Sequence, residues 1–317
     1  VGELWIKDEA GRLGLGSFKA LGGAFAVASM ALEAAGAHLA RDVGFGDMAG
    51  PDVRAVTGGL TFACATDGNH GRAVAAGAQQ VGARAVVFMH GGVSAARAEA
   101  IARFGAEVVR VPGCYEDSVT EAARRCAERG WTLVADTDPD PDAPSPALVM
   151  QGYTALVDEA LAQLDRPPTH VFVQAGVGGL AGAVAAHLTV RLGVGRPKVV
   201  VVEPERAACV LESMRAGRPV HIAEGPATVM AMLECQEPSG LAWRILSRAA
   251  DACMALPDED AVAVMRRLAR PEGNRAGLVA GESGGVGVAG LLRASRTPAL
   301  REALGLGPQA RVLTINS

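Results

Sequence analysis

Three groups of residues in this chain have types and spacings that could carry chemistry. Gly281-Glu282-Ser283-Gly284-Gly285 has the form G-x-S-x-G of a nucleophile elbow and stands ahead of a helix-like stretch. A serine in that setting needs a histidine later in the chain as its base. The last histidine is His221, so a hydrolase reading lacks its proton acceptor. Gly176-Val177-Gly178-Gly179-Leu180-Ala181 has the form G-x-G-x-x-A between a strand-like and a helix-like run. Glu203 closes the next strand-like run, where a dinucleotide fold keeps its ribose-binding acid. The physics certified by that pattern is narrower: backbone N–H groups at a helix N-terminus hold a phosphate, and a monophosphate suits them as well as a dinucleotide.

The third group is spread along the chain. Gly16-Ser17-Phe18-Lys19 puts one lysine among small residues at the start of a long helical run. Lysine is the amine that forms a Schiff base with pyridoxal phosphate, and an apolar pocket favours its neutral, nucleophilic form. Asp67-Gly68-Asn69-His70-Gly71 follows a strand-like run and opens a helix, offering an amide in a turn. The 176–179 glycines then supply a phosphate cradle, and Ser317 offers a hydroxyl to a ring nitrogen. Each piece also has a structural reading. A lysine at a helix start is usually solvated, a Gly-Asn-His-Gly run makes a tight turn and cap, and Ser317 is a chain end.

These residues need scaffolding, and the pattern around them is short apolar runs alternating with longer Ala-rich amphipathic stretches, the mark of βα units and a largely parallel sheet. Strands are expected at Phe62–Ala65, Ala85–Met89, Val108–Val111, Thr132–Val134, His170–Gln174, Val199–Val202 and Arg311–Ile315, with a further strand-like run at Leu4–Lys7. Helices are expected at Phe18–Ala40, His70–Val81, Ser94–Phe104, Glu116–Arg129, Pro146–Leu164, Gly179–Arg191 and Asp258–Arg270, the last with Asp258 as its N-cap. The Pro/Asp-rich stretch from Asp136 to Pro146 marks a domain boundary or an active-site loop. The simplest architecture is α/β, with two open, mostly parallel lobes and a ligand cleft between them.

Composition is that of an ordinary soluble globular protein: of 317 residues, 50% are hydrophobic and 20% charged. A formal net charge of −4 gives no electrostatic case for nucleic acid or an anionic membrane. No apolar run is read as reaching the ~20 residues of a membrane span, and no signal peptide is visible. Six cysteines lack a CxxC, and no histidines stand at metal-ligand spacing, so no metal is expected. Reduced thiols are expected, although a Cys209–Cys235 bridge is conceivable. Both termini lie in or against strand-like runs and read as trimmed.

Five segments together are similar to the diaminopropionate ammonia-lyases, a branch of the fold-type-II pyridoxal-phosphate enzymes that also include threonine and serine dehydratases and serine racemase. They are KDEAGRLGLGSFKALGGA (7–24), TFACATDGNHGRAVA (61–75), QAGVGGLAGAV (174–184), ATVMAMLECQEPS (227–239) and AGESGGVGVAGL (280–291). The likeness runs from Glu3 to Ser317, and Asp67, where dehydratases commonly have a small hydroxyl residue, points to the ammonia-lyase branch. It implies a tryptophan-synthase-β-like fold, with 1–47 and 144–317 as a larger cofactor-binding lobe and 48–143 as a smaller mobile one. It also implies pyridoxal 5'-phosphate on Lys19, Asn69 at its phenolic oxygen, and Gly176, Val177, Gly178, Gly179 and Leu180 at its phosphate. Glu282 then lies near the ring and Ser317 at the pyridine nitrogen, while Asp67 and Asp136 handle the substrate amine or a proton. The implied reaction is α,β-elimination of ammonia from the small amino acid 2,3-diaminopropionate, giving pyruvate and ammonia, in a cytoplasmic homodimer. The chain departs from the family pattern at 138–149, where an aromatic run gives way to Asp-Pro-Asp-Pro-Asp-Ala-Pro-Ser-Pro-Ala-Leu-Val. A serine/threonine dehydratase, an NAD-dependent oxidoreductase and a non-catalytic relative remain as alternatives.

Overall fold

The architecture is taken from a computed structural model, described for residues 1–271 and 276–317. Along the chain run β1 (Glu3–Asp8), α1 (Lys19–Leu39), α2 (Pro51–Thr57), β2 (Thr61–Ala65), α3 (Asn69–Val81), β3 (Arg84–His90), α4 (Ala95–Ala102) and β4 (Glu107–Val111). Then come α5 (Tyr115–Arg129), β5 (Thr132–Leu133), α6 (Pro144–Gln163), β6 (His170–Gln174), α7 (Gly179–Leu192), β7 (Lys198–Pro204) and α8 (Cys209–Ala216). The chain closes with α9 (Gly240–Ala249), β8 (Ala252–Leu256), α10 (Asp258–Leu268), α11 (Val286–Arg296), α12 (Pro298–Leu304) and β9 (Arg311–Asn316).

The strands form two all-parallel sheets, one ordered β1-β9-β6-β7-β8 and the other β4-β3-β2-β5. Their inner strands are apolar on both faces, as in Phe62-Ala63-Cys64 and Val199-Val200-Val201-Val202, all fully buried. That is what a parallel sheet covered by helices on each side requires. The expected α/β class with two parallel sheets is what the structure has.

The chain divides into two compact units, one made of Val1–Gly11, Thr137–Ala143 and Tyr153–Ser317, the other of Arg12–Asp136 and Pro144–Gly152. The expected division placed 12–47 and 144–152 with the larger lobe, whereas here they belong with the four-stranded sheet. The reason is the packing of α1 on α3. A Cβ on Gly23 would stand 2.6 Å from the Ala73 Cβ, and one on Gly77 would stand 2.8 Å from the Ala24 Cα, so the helices meet backbone to backbone. Gly152 likewise lies against Leu21 and Gly22, with 2.7 Å between its would-be Cβ and the Leu21 carbonyl oxygen.

Several expectations need correction. The Ala252–Leu256 strand was not foreseen, because Ala-Cys-Met-Ala-Leu has no β-branched residue and lies at a sheet edge. Helices α2, α8, α9 and α12 were also missed; they run for 7 to 10 residues, too short to develop a clear period. Asp258 is the first residue of α10 and Pro257 its cap, while the Asp258 carboxylate accepts hydrogen bonds from Thr228 Oγ1 and the Val229 N–H. No disulfide joins Cys209 to Cys235. By length and composition α1 could cross a membrane, contrary to the reading that no run is long enough. Its Ala and Gly content makes it apolar, and its buried face (Ala20, Gly23, Ala24, Val27 and neighbours) includes the residues that meet α3.

The α1–α3 contact makes a prediction of sign. On an exposed helix Gly→Ala stabilises by about 0.8–1 kcal/mol. At Gly77 the added methyl meets the Ala24 backbone, and Gly77→Ala is expected to destabilise by about 1–3 kcal/mol, seen as a lower urea midpoint. An unchanged or higher midpoint would show that the two helices have room to part.

Candidate active site

In the unit built on the four-stranded sheet, the turn before α1 delivers Lys19. Gly16, at φ +76°, takes the left-handed conformation, and the Ser17 hydroxyl accepts the Lys19 N–H at 3.2 Å. Lys19 is therefore the first residue of its helix, an end whose dipole gives no stabilisation to a cation. Its countercharge is Asp136: Nζ lies 2.7 Å from Oδ2, with the aspartate side chain 16% exposed and the lysine 35%.

Asp136 reaches that position from the sheet. The Val134 N–H donates to the Ala63 carbonyl at 2.7 Å, and Ser145 Oγ donates to the Ala135 carbonyl at 2.9 Å, so the backbone is held on both sides. His70, 2% exposed, donates from Nε2 to the Val134 carbonyl at 2.8 Å, which leaves Nδ1 facing Asp136 Oδ2 at 4.0 Å. Burial pushes the Asp136 carboxyl upward, but the Lys19 ammonium, then His70 and the Lys19 hydrogen bond, outweigh it. The net result is a carboxylate held well below its usual range.

The 66–71 turn sits at the carboxyl end of β2. Buried Thr66 organises it, its Oγ1 accepting the N–H of Gly68 at 3.0 Å and of Gly71 at 3.2 Å. A side chain at Gly71 would collide with Thr66 and Val87, at 2.4 and 2.9 Å from its Cβ. Asn69, half-buried, is the first residue of α3. Asp67 is engaged by His90, whose Nε2 lies 3.1 Å from Oδ1, rather than joining the Lys19–Asp136 pair. Sequence reasoning quoted Thr66 and His70 within a motif but gave neither a role. A buried hydroxyl two and five residues before turn N–H groups is the signal that could have marked Thr66. His90 carried no motif at all.

The other expected residues lie in the second unit. After β6 the chain turns through Gly176-Val177-Gly178 into α7, with Gly178 at φ +90°. A Cβ on Gly176 would stand 2.9 Å from Cys235 Sγ, and one on Gly178 3.1 Å from Leu246 Cδ1. The Val177 carbonyl is taken by the Ser239 N–H at 2.9 Å. The turn thus leaves the first N–H groups of α7, including those of Gly179 and Leu180, directed out of the helix end. Glu203 is fully buried and accepts the Val210 and Leu211 N–H groups, each at 2.8 Å. It caps the segment that opens α8, and so cannot read a ribose, which removes the acid that the dinucleotide reading needs.

At the end of β9, Ser317 is backed by Gly284, where a Cβ would stand 2.0 Å from the Ser317 carbonyl oxygen. Gln174 Nε2 donates to the Ile315 carbonyl at 3.2 Å and the Gly284 carbonyl at 3.4 Å, clamping strand and turn together. Glu282 is exposed in that turn. Ser283, the serine of the G-x-S-x-G pattern, accepts the Met232 N–H at 3.3 Å.

A family model described as pyridoxal-phosphate dependent enzyme matches residues 1–317. The chain belongs to the pyridoxal-phosphate-dependent enzymes. It is 38% identical to the diaminopropionate ammonia-lyase of Escherichia coli (strain K12), covering 100% of this chain and 80% of that one. A crystal structure of diaminopropionate ammonia lyase from Escherichia coli in complex with an aminoacrylate-PLP azomethine reaction intermediate matches with a TM-score of 0.84 and 36% identity, over 99% of this chain and 79% of that one. Threonine deaminase isoform 2 from Solanum lycopersicum, at 20% identity and a TM-score of 0.76, shares the fold.

The residues present fit the cofactor of this family. One lysine stands against a carboxylate, and a glycine turn too tight for side chains opens a helix N-terminus suited to a phosphate. Asp136→Asn tests the lysine's countercharge. A folded-state pKa lowered below the unfolded one contributes stability above the unfolded value, and that contribution is lost as pH falls through the folded value. Because Lys19 is a third exposed, the variant is expected to lose about 1–2 kcal/mol, between surface and buried pairs. The difference from the parent should shrink as urea midpoints are followed down through the acid range; a constant difference would place the effect outside the ion pair.

Proposed function

We propose that the protein is a carbon–nitrogen lyase that eliminates ammonia from 2,3-diaminopropionate, giving pyruvate and ammonia. The observation that carries this reading is the contact of Lys19 Nζ with Asp136 Oδ2, an amine and an acid in one place, in a chain of this family. When bound, pyridoxal phosphate supplies the electron sink for charge developing at Cα. The chain's own residues do the rest.

Lys19 would hold the cofactor through its ε-amine, and that amine, when free, would take the Cα proton on its side. Asp136 faces the amine end of the site. The β-amino group must leave as ammonia, since amide ion is far too basic, so an ionised carboxylate beside it favours the ammonium form that departs. His70 keeps that carboxylate in place, while Asp67 is the candidate base for the Cα proton of the other enantiomer. Asn69 would serve the phenolic oxygen, and Gly176 to Leu180 would bind the phosphate through backbone N–H groups. Ser317 would face the pyridine nitrogen, with Glu282 near the ring. A hydroxyl there would offer the ring nitrogen a hydrogen bond without the charge of a carboxylate.

A dehydratase has no β-ammonium to hold, so the acidic pair Asp67 and Asp136 weighs toward the diamino substrate. A homodimer and a cytoplasmic location belong to the same reading; size exclusion and cell fractionation test them. The decisive experiment is a visible spectrum of the purified protein with its cofactor, then pyruvate release from a panel of amino acids. Lys19→Ala is expected to lose the borohydride-reducible visible band, and retention of that band would refute the lysine assignment. Pyruvate from serine with none from 2,3-diaminopropionate would turn the assignment to a dehydratase.

A further inference from the structure

Strands β2 and β3 are parallel neighbours with Ala65 opposite Phe88. Two residues on, the same register sets Asp67 opposite His90, the last residue of β3, and the two side chains meet with His90 Nε2 3.1 Å from Asp67 Oδ1. Nothing in the established chemistry of the lysine requires this histidine.

The ring's protonation is readable from its other nitrogen. The Gly92 N–H donates to His90 Nδ1 at 3.2 Å, so Nδ1 presents a lone pair and the ring proton of the neutral imidazole sits on Nε2, the nitrogen nearer the carboxylate. A side chain at Gly92 would press on the ring, its Cβ 2.9 Å from His90 Cε1, so this turn keeps the imidazole where it is. The backbone on both sides is anchored. Arg97 of α4 donates to the Asp67 carbonyl at 3.3 Å, and Arg110 of β4 donates to the His90 carbonyl at 3.3 Å and the Val93 carbonyl at 2.6 Å. The charged groups around the ring are therefore Asp67, Arg97, Arg110 and Glu116 at the start of α5, whose carboxylate also feels His90.

The 3.1 Å approach is not aligned as a hydrogen bond, and among the described residues Asp67 Oδ1 is buried with no hydrogen-bond partner. A carboxylate that must accept a proton needs such an oxygen: kept oriented by a neighbouring ring edge, yet with its lone pair uncommitted. A ring whose Nδ1 is occupied and whose Nε2 carries the proton cannot itself take a second proton without breaking the Gly92 bond.

We propose that His90 is a positioning residue for Asp67, its Nε2 edge keeping the carboxylate aimed, and not a proton carrier. This rests on the reading of Asp67 as the base for one substrate enantiomer. Three variants separate the two. Asp67→Asn identifies the enantiomer that uses this carboxylate. His90→Leu is then expected to lower kcat for that enantiomer about 10-fold with KM little changed, and to leave the other enantiomer alone. His90→Gln, whose amide nitrogen can stand near the Nε2 position, is expected to restore most of the loss.

A retained cofactor absorbance band in each variant shows that the fold and the lysine site are intact. In the cofactor-free protein, two-bond 15N–1H correlations of the imidazole should show the Nε2–H tautomer. An Nδ1–H tautomer, an equal loss for both enantiomers, or no loss in His90→Leu while Asp67→Asn slows one enantiomer, each overturns the role of His90 alone. If Asp67→Asn slows neither enantiomer, the reading of Asp67 itself falls.

Discussion

An ammonium at the first residue of a helix is in a poor electrostatic position, and the contact between Lys19 and Asp136 compensates for it. Much of the surrounding structure can be understood as supplying that one carboxylate. Asp136 follows a two-residue strand whose register on β2 is set by Phe62 opposite Thr132, and the Val134 N–H extends the pairing by one more bond. His70, at the opposite end of the same β2–α3 connection, spends its Nε2 on the Val134 carbonyl and turns its remaining nitrogen toward the carboxylate. Parallel pairing is what makes this economical. All strands of the sheet end on one side, so residues far apart in sequence, such as Asp67, His90 and Asp136, emerge at one edge.

Small residues are the second constraint, because they set how close the backbones come. Gly23 and Gly77 let α1 and α3 touch, which fixes the direction in which Lys19 leaves its helix. Gly71 does the same for α3 against Thr66 and Val87, and so aims the turn that carries Asp67 and Asn69. The many glycines and alanines of this chain are thus spread through packing seams as well as through turns.

The parallel strands were legible because buried strands read as unbroken Val-rich runs, and the long helices because they hold a period over many turns. That Lys19, Asn69 and Gly179 open helices after turns was legible through motifs that tie residue type to a turn. What could not be read was pairing. Nothing in the residues around Lys19 names Asp136 as its partner, 117 positions away. His90 was invisible for the same reason, since its role depends on the register between two strands. The compact units divide the chain elsewhere than the lobes the resemblance implies, because the small-residue face of α1 packs on α3.

Glu203 shows how a motif and its structural context can part. By position it matches the ribose-reading acid of a dinucleotide fold, one strand after a glycine-rich turn. In the structure both of its oxygens are committed to backbone N–H groups, and the side chain has no exposed surface. Burial pushes its carboxyl up to about 8, against the two N–H bonds that favour the charged form. An acid so placed caps a helix and has no face left for a sugar. The turn before it keeps its fitness for a phosphate, because that depends on backbone N–H groups and on the absence of Cβ atoms, not on the acid that follows. A phosphate seat without a ribose reader, in a chain whose lysine is matched to a carboxylate, is what a monophosphate aldehyde cofactor needs, and it is a poor arrangement for a dinucleotide.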